Sequence, residues 1–189
     1  MFKKKGPISL DLKLLKLIFI APLLVSIPFF SDIREAKAGL EFQWDQDSGH
    51  RRLKWYQKED QKRRRNKIYF FLRPNDRKTG LLKINLAIPK TFKTSLETEK
   101  ISFCKVKIGG FEGRTKCIEK IPADIELKND NSSLDIYPYK PIPSDKESYA
   151  IVLKVFNPNK TGLYQFHSYG QYIGKSVSSY LGSWTIMID

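Results

Sequence analysis

From Lys67 onward the chain breaks into nine short runs rich in β-branched and aromatic residues, and no other feature constrains the fold as much. The runs are "KIYFFL", "GLLKINLAI", "KISFCKVKI", "TKCIEKI", "DIEL", "SLDIYPY", "SYAIVLKVF", "GLYQFHSY" and "SWTIMID", punctuated by Pro, Gly, Asn and Asp. Short strands at this spacing predict an all-β fold, an antiparallel β-sandwich that is immunoglobulin-like or a related Greek key. "YAIVLKVF" is apolar on both faces except at Lys154, as expected of a central strand covered on both sides. In "GLLKINLAI", strict alternation places Leu82, Ile84 and Leu86 on one face and Leu81, Lys83, Asn85 and Ala87 on the other. The one helical turn expected in this zone lies around "PKTFKTSLETEK".

The N-terminal part reads differently. Lys3, Lys4 and Lys5 make a basic start, and "LIFIAPLLVSIPFF" follows without an ionisable group. That stretch is shorter than the roughly 20 residues that span a bilayer as a helix, and Pro22 and Pro28 weaken a helix further. With Ala36, Ala38 and Gly39 at the end of the segment, residues 1–38 read as a secretory signal peptide cleaved after Ala38; a retained anchor is the alternative. Residues 39–65 then form a basic polar arm, partly helical, ahead of a sandwich domain over 66–189. Cleavage removes seven Lys/Arg and three Asp/Glu, so the formal net charge of +14 falls to +10. The expected location is outside the cytoplasm, in the periplasm, the outer envelope or the medium, with no transmembrane span in the mature chain.

The two cysteines fit that compartment. Cys104 and Cys117 are equidistant from the centre of "GGFE", so a hairpin turning there sets them opposite one another and predicts a disulfide. No third Cys or His follows at ligand spacing, which argues against zinc. A search for chemistry yields no catalytic, cofactor-binding or metal-ligating residue. His50 and His167 lie in no metal or triad setting, and His167 reads as a structural histidine in an aromatic strand. Glu41, Asp45 and Asp47 beside Phe42 and Trp44 lack the pattern of a calcium loop. The remaining feature is basic: Arg51, Arg52, Lys62, Arg63, Arg64 and Arg65 form a candidate patch for an anionic ligand. In an exported protein such a patch suits anionic lipid or polysaccharide, and nucleic acid is disfavoured.

The chain from about residue 66 to 189 carries a family likeness, with its clearest motifs toward the C-terminus. "VFNPNKTGLYQF" and "YLGSWTIMI", with "INLAIPKTFKT" and "PYKPIPSDKESYAIVLK" upstream, resemble a family of exported cyanobacterial proteins known as a domain of unknown function, DUF2808. Phe156 stands where that family often has Arg, and the cysteine hairpin and the basic segment are additions to its simplest pattern. The resemblance implies an exported β-rich domain and supplies no catalytic residues. Within the motif, Gly162 suits a position needing positive φ. The expected function is a non-enzymatic envelope module for anionic or saccharide material. A small envelope hydrolase and an extracellular nucleic-acid binder are the rival readings.

Overall fold

The computed structural model describes residues 51–78, 80–110, 113–128 and 130–189. Ten strands make two five-stranded antiparallel sheets. The first has the order β1 (Trp55–Gln57), β2 (Arg65–Leu72), β8 (Tyr149–Phe156), β4 (Ile101–Lys107), β5 (Lys116–Lys120). The second has the order β10 (Ser179–Ile188), β9 (Gly162–Tyr172), β3 (Leu81–Ala87), β7 (Ser133–Pro138), β6 (Ala123–Leu127). The fold is the expected all-β sandwich, with β2 paired to β8 and β3 to β9 far along the chain, the crossovers of a Greek-key arrangement. No helix among the described residues is long and apolar enough to cross a membrane.

Alternation along each strand builds the core between the sheets. Ile68, Phe70 and Leu72 from β2 and Ile151, Leu153 and Val155 from β8 meet Tyr164, Phe166, Trp184 and Ile186 from β9 and β10. Trp184 is fully buried, stacks on Phe70 at 4.9 Å, and donates its indole N–H across the sandwich to the Phe71 carbonyl at 3.2 Å. This bond satisfies the one polar atom that such a buried ring carries. As expected, β8 is the middle strand of its sheet. Its Ala150 and Val152 face away from the core and join Tyr69, Phe71, Cys104 and Val106 in a second buried cluster.

Local details depart from strict alternation. Leu81 is fully buried and Leu82 is 39% exposed, the reverse of the expected assignment. The β3–β9 register shifts between Leu81 and Lys83, and the inserted residue flips the parity, so Leu81, Ile84 and Leu86 all reach the core. Around "PKTFKTSLETEK" the helical turn is a short 3-10 turn, Thr98–Lys100. The described part of the expected N-terminal arm contains no helix. Residues 51–53 instead run along β10, where the Leu53 amide donates to Ser183 O at 2.8 Å and the Ser183 amide to Arg51 O at 2.7 Å. The chain then crosses to the first sheet as β1. Leu53 is 1% exposed and belongs to the core.

Cys104 and Cys117 form the expected disulfide, with Cα atoms 5.6 Å apart. Their register is not the direct opposition expected. The turn closes between Gly110 and Gly113, and a shift between Lys105 and Val106 pairs Cys104 with Lys120 and Cys117 with Val106. The bulge tightens the local twist, and the bridge runs diagonally across the ladder.

Candidate functional site

The hairpin from β1 to β2 carries the basic cluster, and its backbone is held in place by buried amides. Asn66 and Asn157 are 5% and 3% exposed. The Asn66 side-chain amide donates to Asn157 Oδ1 at 2.9 Å, while Asn66 Oδ1 accepts the backbone amides of Lys58 and Glu59 at 3.2 and 3.0 Å. Asn157 Nδ2 donates in turn to the carbonyls of Glu59 and Gln61 at 3.2 and 2.8 Å. The Arg63 amide reaches Asn157 O at 3.2 Å, and the Lys62 amide reaches Asp189 O at 2.7 Å. Arg63 adopts φ 59°, a left-handed conformation that costs a non-glycine residue about 1–2 kcal/mol and that the surrounding hydrogen bonds help to offset. Glu59 faces inward on its own turn, accepting the amides of Asp60 and Gln61.

The side chains of Lys62, Arg63, Arg64 and Arg65 are exposed on this fixed turn. Two further cations adjoin them: Lys67 lies directly opposite Lys154 in the β2–β8 ladder, and Arg65 lies opposite Phe156. Like charges at directly opposed positions are destabilising. Among the described residues, none of these six cations lies within ion-pair distance of a carboxylate. The Arg65 guanidinium sits over the Phe156 ring, 5.4 Å from its centroid, and the Lys67 ammonium sits 4.9 Å from that of Tyr69. Phe156 is nevertheless 52% exposed.

Beside Phe156 the first sheet is incomplete. β4 begins at Ile101, opposite Leu153, so residues 154–156 of β8 run past its end. The Thr94 hydroxyl donates to the Phe156 carbonyl at 2.7 Å, and a groove of about 580 Å³ opens between Arg65, Lys154 and Phe156 on one side and Thr94, Glu97 and Lys100 on the other. Lys100 is paired with Glu97 at 2.7 Å, leaving Arg65 and Lys154 as the uncompensated charges of the groove. A sequence reading that stops at Arg65 misses Lys67, Lys154 and Phe156. Their signal was the lone Lys in an otherwise apolar β8, but its partner becomes visible only once β2 and β8 are paired.

The structure divides the expected patch. Arg51 lies at the opposite end of β2, where it bonds to Asp76 at 3.1 Å; Arg52 is exposed beside Ser183. An eight-residue β2, at about 3.3 Å per residue, puts roughly 25 Å between that end and the basic turn. Arg51 belongs instead to a cluster in which Asp76 also binds Arg73. There Arg77, whose side chain is fully buried, pairs with Asp145 at 3.0 Å and stacks on Tyr149 at 4.6 Å.

His167 bonds to Ser183 Oγ at 2.8 Å on the outer face of the second sheet, and the Tyr180 hydroxyl meets the same oxygen. Among the described residues no carboxylate joins them in the position a Ser-His-Asp triad would require. Tyr164, Phe166 and Tyr172 are buried in the core, while Tyr169 and Tyr180 pack on one another at 5.6 Å outside it. The expected signal segment, His50 and the Glu41, Asp45 and Asp47 cluster lie outside the described residues. Among those described, no group of His, Cys, Asp and Glu could hold a metal ion.

Two stacked antiparallel sheets with a cationic turn at one end define a β-sandwich domain. Its family follows from sequence: the model described as "Protein of unknown function (DUF2808)" matches residues 43–188, and the chain belongs to that family. No curated protein matches the chain. Among solved structures it is similar to BslA, a bacterial hydrophobin, at 14% identity over 73% of this chain and 97% of that one, with a TM-score of 0.46. It is similar also to the collagen-binding domain of a Staphylococcus aureus adhesin, at 14% identity, 71% and 95% coverage and a TM-score of 0.40. A third likeness is to ACE19, the collagen-binding subdomain of the Enterococcus faecalis surface protein ACE, at 10% identity, 70% and 95% coverage and a TM-score of 0.38.

Proposed function

We propose that the protein is an exported, non-enzymatic module of the cell envelope that binds anionic or saccharide material through its basic turn and the adjoining groove. The observation that carries this reading is a set of six cations, Lys62, Arg63, Arg64, Arg65, Lys67 and Lys154, without a carboxylate partner among the described residues and backed by a hydrogen-bonded turn. An arrangement that repels itself in the free protein is relieved when an anion sits between the charges. The basic start, short apolar run and small residues of the first 38 positions support export. The disulfide fits an oxidising compartment in the periplasm, the outer envelope or outside the cell.

The test is binding of the purified protein to isolated envelope polysaccharide and to vesicles containing anionic lipid, over a range of salt. Binding that weakens with salt, and weakens further in an Arg63→Gln, Arg64→Gln, Arg65→Gln variant, is the expected result. No salt-sensitive binding to either material refutes the reading.

A further inference from the structure

We propose that the ligand of this surface is an acidic polysaccharide, lying as an extended chain across two grooves that meet at Thr94 and Ser95. This rests on the preceding reading and narrows it. One groove is the cleft of about 580 Å³ beside Phe156. The other, of about 610 Å³, is lined by Lys90, Lys93 and Asp130 and shares Thr94 and Ser95 with the first. Each has the size of a small-molecule site, and the shared segment makes them neighbouring stations on one tract. A single headgroup or phosphate ion would leave most of it empty.

The chemistry of the first groove suits a ring that carries a carboxylate. Arg65 presents a planar fork that matches a carboxylate bidentately, and Lys154 adds a point charge a strand away. Phe156, half exposed between them, offers an apolar surface to the C–H face of a sugar ring. Single-stranded nucleic acid needs successive aromatic platforms in a basic groove. This tract has one, because Phe92, its other aromatic lining residue, is 4% exposed. A flat lipid surface would touch Phe156 and the cations but leave both grooves unfilled.

The purified protein is titrated calorimetrically with galacturonate dimer, tetramer and hexamer, neutral dextran oligomers, phosphatidylglycerol vesicles and single-stranded oligothymidylate. Affinity is expected to rise about tenfold or more from dimer to hexamer, with no binding of dextran. Phe156→Ala is expected to lose about tenfold at every length and Phe156→Trp to retain binding, with the melting temperature of both near wild type because the side chain is half exposed. Lys93→Gln is expected to weaken the hexamer while sparing the dimer. Equal affinity for dimer and hexamer overturns the extended tract. Vesicle binding with no galacturonate binding overturns the saccharide assignment and leaves the broader anionic reading standing, whereas no binding to any probe sinks both. Oligothymidylate bound as tightly, with the same loss in Phe156→Ala, overturns it in favour of nucleic acid.

Discussion

Replacing Asn157 by alanine removes one side chain that makes three hydrogen bonds, to Asn66 Nδ2 and to the carbonyls of Glu59 and Gln61. The partner left worst off is Asn66, which is buried and loses the acceptor of its amide N–H. A buried polar group left unsatisfied costs about 1–3 kcal/mol. The two carbonyls lie on a surface turn where water can replace part of their loss. A total of about 3 kcal/mol follows, or a fall of about 6–12 °C in Tm for a domain of this size. Differential scanning calorimetry measures this directly, with Arg64→Ala as the control, since an exposed side chain of the same turn should shift stability by no more than about 0.5 kcal/mol. The Asn66→Ala, Asn157→Ala double-mutant cycle should show a coupling of about 1 kcal/mol or more. The substitution leaves net charge unchanged, so any loss of anion binding at a temperature where the variant is folded reports the placement of the basic side chains. A fall in Tm under about 2 °C with unaltered binding would refute the view that the asparagine pair fixes the turn.

Removing the Cys104–Cys117 bridge, which closes 13 residues, should cost about 3 kcal/mol, read as a drop in Tm on adding reductant or in a Cys104→Ala, Cys117→Ala variant. Gly182→Ala should destabilise by about 2 kcal/mol or more in a denaturant melt, because Gly182 has φ +142° and an added Cβ would lie 2.6 Å from the Arg51 carbonyl oxygen. Lys154→Gln should relieve the repulsion with Lys67, raising stability by up to about 0.5 kcal/mol while weakening anion binding. The Tyr149 phenol is pushed up to about 12 by burial and by its hydrogen bond to Asp145. The unfolded chain releases this proton near 10, so stability should fall by roughly 2–3 kcal/mol between pH 10 and 12, and Tyr149→Phe should flatten that loss.

What could be read from the chain followed from local physics. A strand buries alternate residues and turns need Gly, Pro or Asn, so β8, the aromatic β9 and the all-β class are visible in stretches of a few residues. Gly162 was open to the same reasoning, and it adopts φ +140°. A disulfide between Cys104 and Cys117 needed only their proximity along the chain. Its diagonal register did not follow, nor did the exchange of Leu81 for Leu82. A single inserted residue reverses every side chain beyond it, and the energy that favours a bulge comes from the neighbouring strand.

Residue order alone places a basic cluster ahead of a sandwich of short strands. Tertiary structure alone decided what that cluster is. Asn66 and Asn157, 91 residues apart, meet only when β2 pairs with β8, and that meeting turns the expected arm into a fixed turn. The same ladder sets Lys154 against Lys67 and Phe156 against Arg65, and carries Arg51 to the far end of the strand. Such neighbours depend on which of many possible ladders buries the most apolar surface across both sheets, a sum over the whole chain that no single stretch contains.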